Sequence, residues 1–217
     1  MTIVILLTLY ISIMYSVNTK FQLILRSSET VRASKQQAAE SRERVIDAAA
    51  KLFREKGFDG IGVDDLMKSA GFTHGGFYRH FSSKEDLMSQ ASARAIEQSL
   101  DDWKRVVEQD PGGAIDRLTK SYLSPIHRDN PGLGCLFAAL GPEVARQHPP
   151  VRQAVTAGLR ACIELLTSLV RGDSEEAKRH EAIRTFAGMV GALLLARAVD
   201  DPQFSEEILN AAADPHT

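Results

Sequence analysis

At 217 residues, with 44% apolar and 25% charged side chains, the chain is long enough to bury a core in one large or two small domains and has the make-up of an ordinary globular protein. Its net charge of −2 excludes a uniformly basic nucleic-acid binder but leaves room for a local basic patch. The two cysteines, Cys135 and Cys162, lack the spacing of a metal site or disulfide framework and read as reduced thiols, which fits a cytoplasmic location.

The run from Thr2 to Val17, TIVILLTLYISIMYSV, carries no charge. It is shorter than the roughly 20 apolar residues of a membrane span. It also lacks a positive n-region and a small-x-small cleavage site. Residues 1–35 are therefore expected to be an unstructured extension, or upstream sequence joined by a misassigned start, with Val31 as an alternative beginning. A membrane anchor at Thr2 to Val17 is the other reading.

Beyond residue 30 no alternating β-branched run or hairpin dipeptide occurs, while apolar residues recur at helical spacing. The expected fold class is all-α. The spacing predicts a first helix over about 38–56, with Val45, Ala48, Ala49, Leu52 and Phe53 on one face and Gly57 as its C-cap. A short second helix follows over 63–70, then a turn at Gly71 and a third helix over 73–81. Ser82 or Ser83 caps a long fourth helix that ends near Gln109, before Pro111-Gly112-Gly113. About five more helices follow, divided by prolines and glycines. The expected organisation is a three-helix head, about 36–82, and a larger helical body, about 83–213.

The stretch THGGFYRH, from Thr73 to His80, carries the chemistry. Each glycine inside a helix costs about 1 kcal/mol relative to alanine, yet Gly75 and Gly76 stand side by side. On a helical wheel Phe77 and Phe81 face the core, while Gly75, Gly76 and Arg79 share the opposite face. A face without bulk except one guanidinium suits close approach to a rigid partner. The major groove of DNA admits a helix, and Arg can bind guanine O6 and N7 together. His74 can reach a base edge or a phosphate, and Tyr78, His80 and Lys84 are placed for phosphate oxygens. Between Leu66 and Lys84 there is no acidic residue, while Lys68, Arg79 and Lys84 supply a local basic patch. Two short helices joined by a glycine-containing turn make a helix-turn-helix pattern.

Gly57-Phe58-Asp59-Gly60, Val63-Asp64-Asp65-Leu66, Ala70-Gly71-Phe72-Thr73 and Phe77-Tyr78-x-His80-Phe81-x-x-Lys84 together resemble the N-terminal domain of TetR-family transcriptional regulators. The resemblance implies a DNA-binding domain over 39–99, with its helix-turn-helix at 62–81, and a ligand-binding and dimerisation domain over 100–213. It also implies a homodimer that binds a palindromic operator in double-stranded DNA and is released by a small-molecule effector. By position it places Thr73, His74, Gly75 and Gly76 at base edges and Tyr78, His80 and Lys84 on phosphates. Arg79 falls at a contact position of either type, and Arg42 and Arg44 sit where the family touches the DNA backbone. Gly62 departs from the family's usual Ser or Thr cap, which leaves only backbone N–H groups at that helix end for a phosphate.

In the body, Trp103, Tyr122, His127, Cys135 and Phe137 either line a ligand pocket or pack the core. Cys135 and Cys162 read as small buried hydrophobes. His127, His148 and His180 lack metal-site spacing, so neither a metal nor a cofactor is expected. Absence of a nucleophile triad or phosphate loop argues against an enzyme. The stretch FAGMVGALLLARAV, 186–199, is apolar nearly all round. With the family resemblance this makes the last two helices, about 175–213, the dimer interface.

Overall fold

The computed structural model describes residues 36–214, and all the regular structure among them is helical. The chain divides into two units between Arg44 and Val45, of which residues 36–44 and 45–214 are described. The run from Thr2 to Val17 and the extension expected over 1–35 lie outside the described residues.

Helix α1 spans 36–56. From Val45 onward it buries Val45, Ile46, Ala49, Ala50 and Phe53. It stops because Gly57 takes φ +80°, a conformation that L side chains avoid, while its N–H reaches the Phe53 carbonyl at 2.8 Å. Phe58 then turns back edge-on to Phe53, with ring centroids 5.3 Å apart. Helix α2, Val63–Ser69, carries Asp64 and Asp65 in its first turn, where the helix dipole favours them. Its end is a Schellman motif: Gly71 has φ +83°, and the Phe72 and Gly71 N–H groups reach the Met67 and Lys68 carbonyls at 2.8 and 3.0 Å.

The single helix expected over 73–81 is not what forms. A 3₁₀ turn, His74–Gly76, leads into one turn of α-helix, α3, Phe77–His80. Thr73 holds the N-cap position with extended backbone but makes no side-chain cap bond. Two glycines also make a regular first turn expensive. The segment therefore closes through the tighter Gly76 N–H to Thr73 carbonyl bond of 3.0 Å. Phe81 leaves the helix in β conformation. Ser83 then caps α4, Lys84–Gln109, by accepting from the Asp86 N–H at 3.2 Å.

The body follows as α5 (Ala114–Tyr122), α6 (Pro125–Asp129), a 3₁₀ turn (Pro131–Leu133), α7 (Leu136–Val144), α8 (Pro149–Thr167), α9 (Glu175–Ala198) and α10 (Pro202–Ala213). These are six α-helices where about five were expected. The addition is α6, too short for periodicity to reveal and defined by Pro125 at its start and by Ser124, whose hydroxyl accepts from the His127 N–H at 3.2 Å. Helix α4 packs along α8, α8 along α9, and α9 against α10. Head and α4 are joined by Asp47 and Arg94, 2.5 Å apart.

Candidate nucleic-acid interface and body cavity

Phe77 is 1% exposed and Phe81 is buried with it, their rings 5.5 Å apart. Anchoring these two turns Thr73, His74, Gly75, Tyr78 and Arg79 outward, all exposed, with Gly76, His80 and Lys84 half-buried. Tyr78 is 68% exposed, its ring edge-on to Phe77 at 5.2 Å and to His74 at 5.9 Å. A Cβ added at Gly75 would meet open space, and one at Gly76 only the Met67 Cε at an ordinary 3.6 Å. Neither glycine has a positive φ. The fold thus demands Gly57 and Gly71 for their backbone conformation but demands neither Gly75 nor Gly76. Gly62 is likewise exposed, with open space around it, and offers no side-chain cap to α2.

The electrostatics differ from the expectation drawn from the acid-free window. Asp64, just outside that window, pairs with His74 Nδ1. Asp65 lies 3.8 Å from Lys68 Nζ. Folding brings the first turn of α2 beside the recognition turn, so two carboxylates offset part of the basic patch. Both pairs are largely exposed and contribute little to stability. Arg79 and Lys84 have no ion-pair partner among the described residues. Arg42 and Arg44 lie in the first turns of α1, within the unit ending at Arg44. Arg42 Nη1 is 3.7 Å from Glu43.

The body contains a cavity of about 410 Å³. Trp103 and Val106 of α4, Leu118 and Tyr122 of α5, His127 of α6, and Gly134-Cys135 are among its lining residues. Phe137, grouped with these from the sequence, does not line it. From α7 its ring turns to Phe186 of α9 at 5.4 Å, and Phe186 in turn meets Trp103 at 5.8 Å. Phe137 is therefore a packing residue of the aromatic cluster.

A chain of hydrogen bonds stiffens the cavity wall. His127 Nε2 accepts from the Cys135 N–H at 2.9 Å, so its proton sits on Nδ1, which donates to the Tyr122 carbonyl at 2.7 Å. Burial lowers the affinity of His127 for a second proton, and the nearby Arg197 and Arg54 charges lower it further against the Tyr122 bond. Arg197, from α9, donates to the His127 and Arg128 carbonyls at 2.7 and 3.0 Å. Gly134 has no room for a Cβ because the His127 ring lies against it. Burial pushes the Cys135 thiol up, opposed in part by the Tyr122 hydroxyl, and pushes Cys162 up to about 12. Both remain thiols at neutral pH.

Sequence reasoning missed Arg54. It is 6% exposed, with Nε donating to Ala50 O at 2.9 Å and Nη1 to Gly134 O at 2.7 Å. Nothing in KLFREKGF distinguishes this arginine from a solvated one. A further head–body bond runs from the Phe58 N–H to Glu143 Oε2 at 2.8 Å. Among the described residues, no group of His, Cys, Asp and Glu is placed to hold a metal ion, and no helix is long and apolar enough to cross a membrane.

Comparison with known proteins agrees with this architecture. The family model for bacterial regulatory proteins, tetR family, matches residues 45–91, and that for the tetracyclin repressor-like C-terminal domain matches 111–212. The HTH-type transcriptional repressor NemR of Escherichia coli (strain K12) is 28% identical over 142 residues, covering 63% of this chain and 70% of NemR. The crystal structure of reduced E. coli NemR superposes with a TM-score of 0.67 at 24% identity, over 80% of this chain and 94% of that one. A TetR transcriptional regulator from Chloroflexus aurantiacus J-10-FL gives 0.64 at 26% identity, over 82% and 94%. Two family models thus cover the helix-turn-helix and most of the helical body, and the chain belongs to the TetR family of transcriptional regulators.

Proposed function

We propose that the chain is a ligand-released repressor, a homodimer that grips a palindromic operator and lets go when a small molecule fills the cavity beside Trp103. The observation that carries this reading is the side-chain-free turn at exposed Gly75 and half-buried Gly76, two glycines that the fold itself does not need. It lets backbone come within touching distance of base edges, flanked by Thr73, His74 and Arg79 as readers. Tyr78, His80, Lys84 and the backbone N–H groups behind Gly62 hold phosphates; Arg42 and Arg44, in the unit ending at Arg44, are assigned DNA-backbone contacts of their own. The repressor character is taken from relatives such as NemR.

Dimerisation is assigned to α9 and α10. The outward side of α9 leaves Ile183, Leu194 and Leu195 exposed, and Phe204 of α10 is exposed as well. A Cβ at Gly188 or Gly191 would meet open space, which permits a second helix to come close. Two heads so joined would sit about 34–36 Å apart, one turn of DNA. An effector that prefers another spacing releases the operator only to the extent of its differential affinity.

Anisotropy titration on DNA from the chain's own promoter tests this reading. Binding should weaken steeply with salt as counterions are released. Arg79→Ala should cost about 1–3 kcal/mol of discrimination between operator and random DNA. A folded dimer that fails to bind even at low salt would remove the proposal, and an unchanged specificity ratio would remove Arg79 as a base reader.

A further inference from the structure

We infer that Arg54 is the positioning residue through which the body cavity governs the DNA-contacting head; this rests on the reading of the chain as an effector-released operator binder. Arg54 belongs to α1, yet its guanidinium reaches a carbonyl eighty residues away. An arginine this deeply buried ordinarily has a carboxylate partner. Here, among the described residues, its hydrogen bonds go to two carbonyls, Ala50 and Gly134. An apolar side chain would fill the same space without desolvating a charge. What the guanidinium adds is the bond to Gly134.

That acceptor is a particular one. The Gly134 carbonyl and the Cys135 N–H belong to the same peptide group, which is planar and stiff. Arg54 holds the carbonyl edge. His127 holds the N–H edge through Nε2, and its other ring nitrogen is tied to the Tyr122 carbonyl. His127, Tyr122, Gly134 and Cys135 all line the cavity. A ligand that displaces the His127 ring therefore tilts the peptide plane and moves its oxygen relative to Arg54. Gly134 makes this linkage tight, since its missing Cβ is what lets the His127 ring lie against the peptide. Another head–body bond, Phe58 N–H to Glu143, bypasses the cavity wall and serves as a control.

Trp103 provides the readout. It is the only tryptophan of the chain and lines the cavity. It lies nineteen positions along α4 from Lys84, roughly 28 Å at helical rise, so DNA on the head does not touch it. By reciprocity, whatever the cavity does to operator affinity, the operator must do to the cavity.

The test titrates protein with dye-labelled DNA from its own promoter, following anisotropy for binding and acrylamide quenching of Trp103 for the cavity. In the wild type, saturating DNA should change the quenching constant by about twofold. Arg54→Met, which keeps the apolar stem, should bind DNA within about threefold of wild type but lose the change in quenching. Arg54→Lys should restore part of it, because an ammonium still donates. Glu143→Ala should retain it. Where thermal melting shows that Arg54→Met does not fold, His127→Phe reaches the same peptide from the cavity side and should lose the change in its place. Full retention in Arg54→Met would overturn the inference and assign the coupling to α4. Equal loss in Glu143→Ala would overturn it in favour of general loosening between head and body. A wild type that binds DNA with no change in quenching removes the role of Arg54 and leaves operator binding standing. A wild type that binds no DNA retracts the regulator reading and this inference with it.

Discussion

At the scale of single residues, the glycines separate into those the backbone requires and those a partner requires. Gly57 and Gly71 adopt positive φ, so replacing Gly71 with Ala strains the turn between α2 and the recognition segment. Gly75 and Gly76 have ordinary backbone and room for a methyl group. Gly75→Ala and Gly76→Ala should therefore raise stability by about 0.5–1 kcal/mol each through unfolded-state entropy, while weakening operator binding. Thermal melting and anisotropy on the same samples check both halves. A loss of stability would make these glycines turn residues with no role at the DNA. The oddity of the pair was legible in THGGFYRH, because two adjacent glycines contradict local helix propensity. The pairing of His74 with Asp64 was not, because it joins residues ten positions apart across a turn whose geometry only the fold determines.

At the scale of elements, the long helices announced themselves through periodicity and caps, and the bounds of α4, α9 and α10 fall within a few residues of expectation. The short pieces did not. One turn of α-helix or five residues of α6 leave too few positions for a period to register, and the 3₁₀ turn arises from a missing cap. Trp103, Tyr122, His127 and Cys135 were recognisable as a loose group, but their ordering around a single hydrogen-bonded wall depends on α6. That wall has a pH signature. His127 is neutral in the fold and burial lowers its proton affinity, so the unfolded chain protonates first as pH drops below the ordinary value of about 6.5. Its contribution to stability is thus complete above that pH and declines as pH falls toward the lowered native value. Melting temperatures recorded between neutral and mildly acidic pH should show this decline, and His127→Gln should flatten it. An unchanged slope in the variant would assign the acid sensitivity to other groups.

At the scale of the whole molecule, the apolar outer side of α9 is the feature that a lone chain does not explain. Leu195 is 55% exposed on a helix whose inner side already buries Phe186, Met189 and Leu193. Leu195→Glu should shift the proposed dimer to monomer in sedimentation experiments with little loss of secondary structure, since the site is open in the single chain, and it should abolish tight operator binding. A dimer unaffected by that charge would move the interface elsewhere. Arg197 adds a consequence of its own. It stands two positions after Leu195 on the same helix and grips the carbonyl of His127. On the proposed dimer, the helix that meets the second chain thus also holds the backbone of a cavity-lining residue. Ligands entering the two halves of such a dimer would not be independent of each other, and the saturation curve would take its shape from both chambers together, with the first molecule bound resetting the terms for the second.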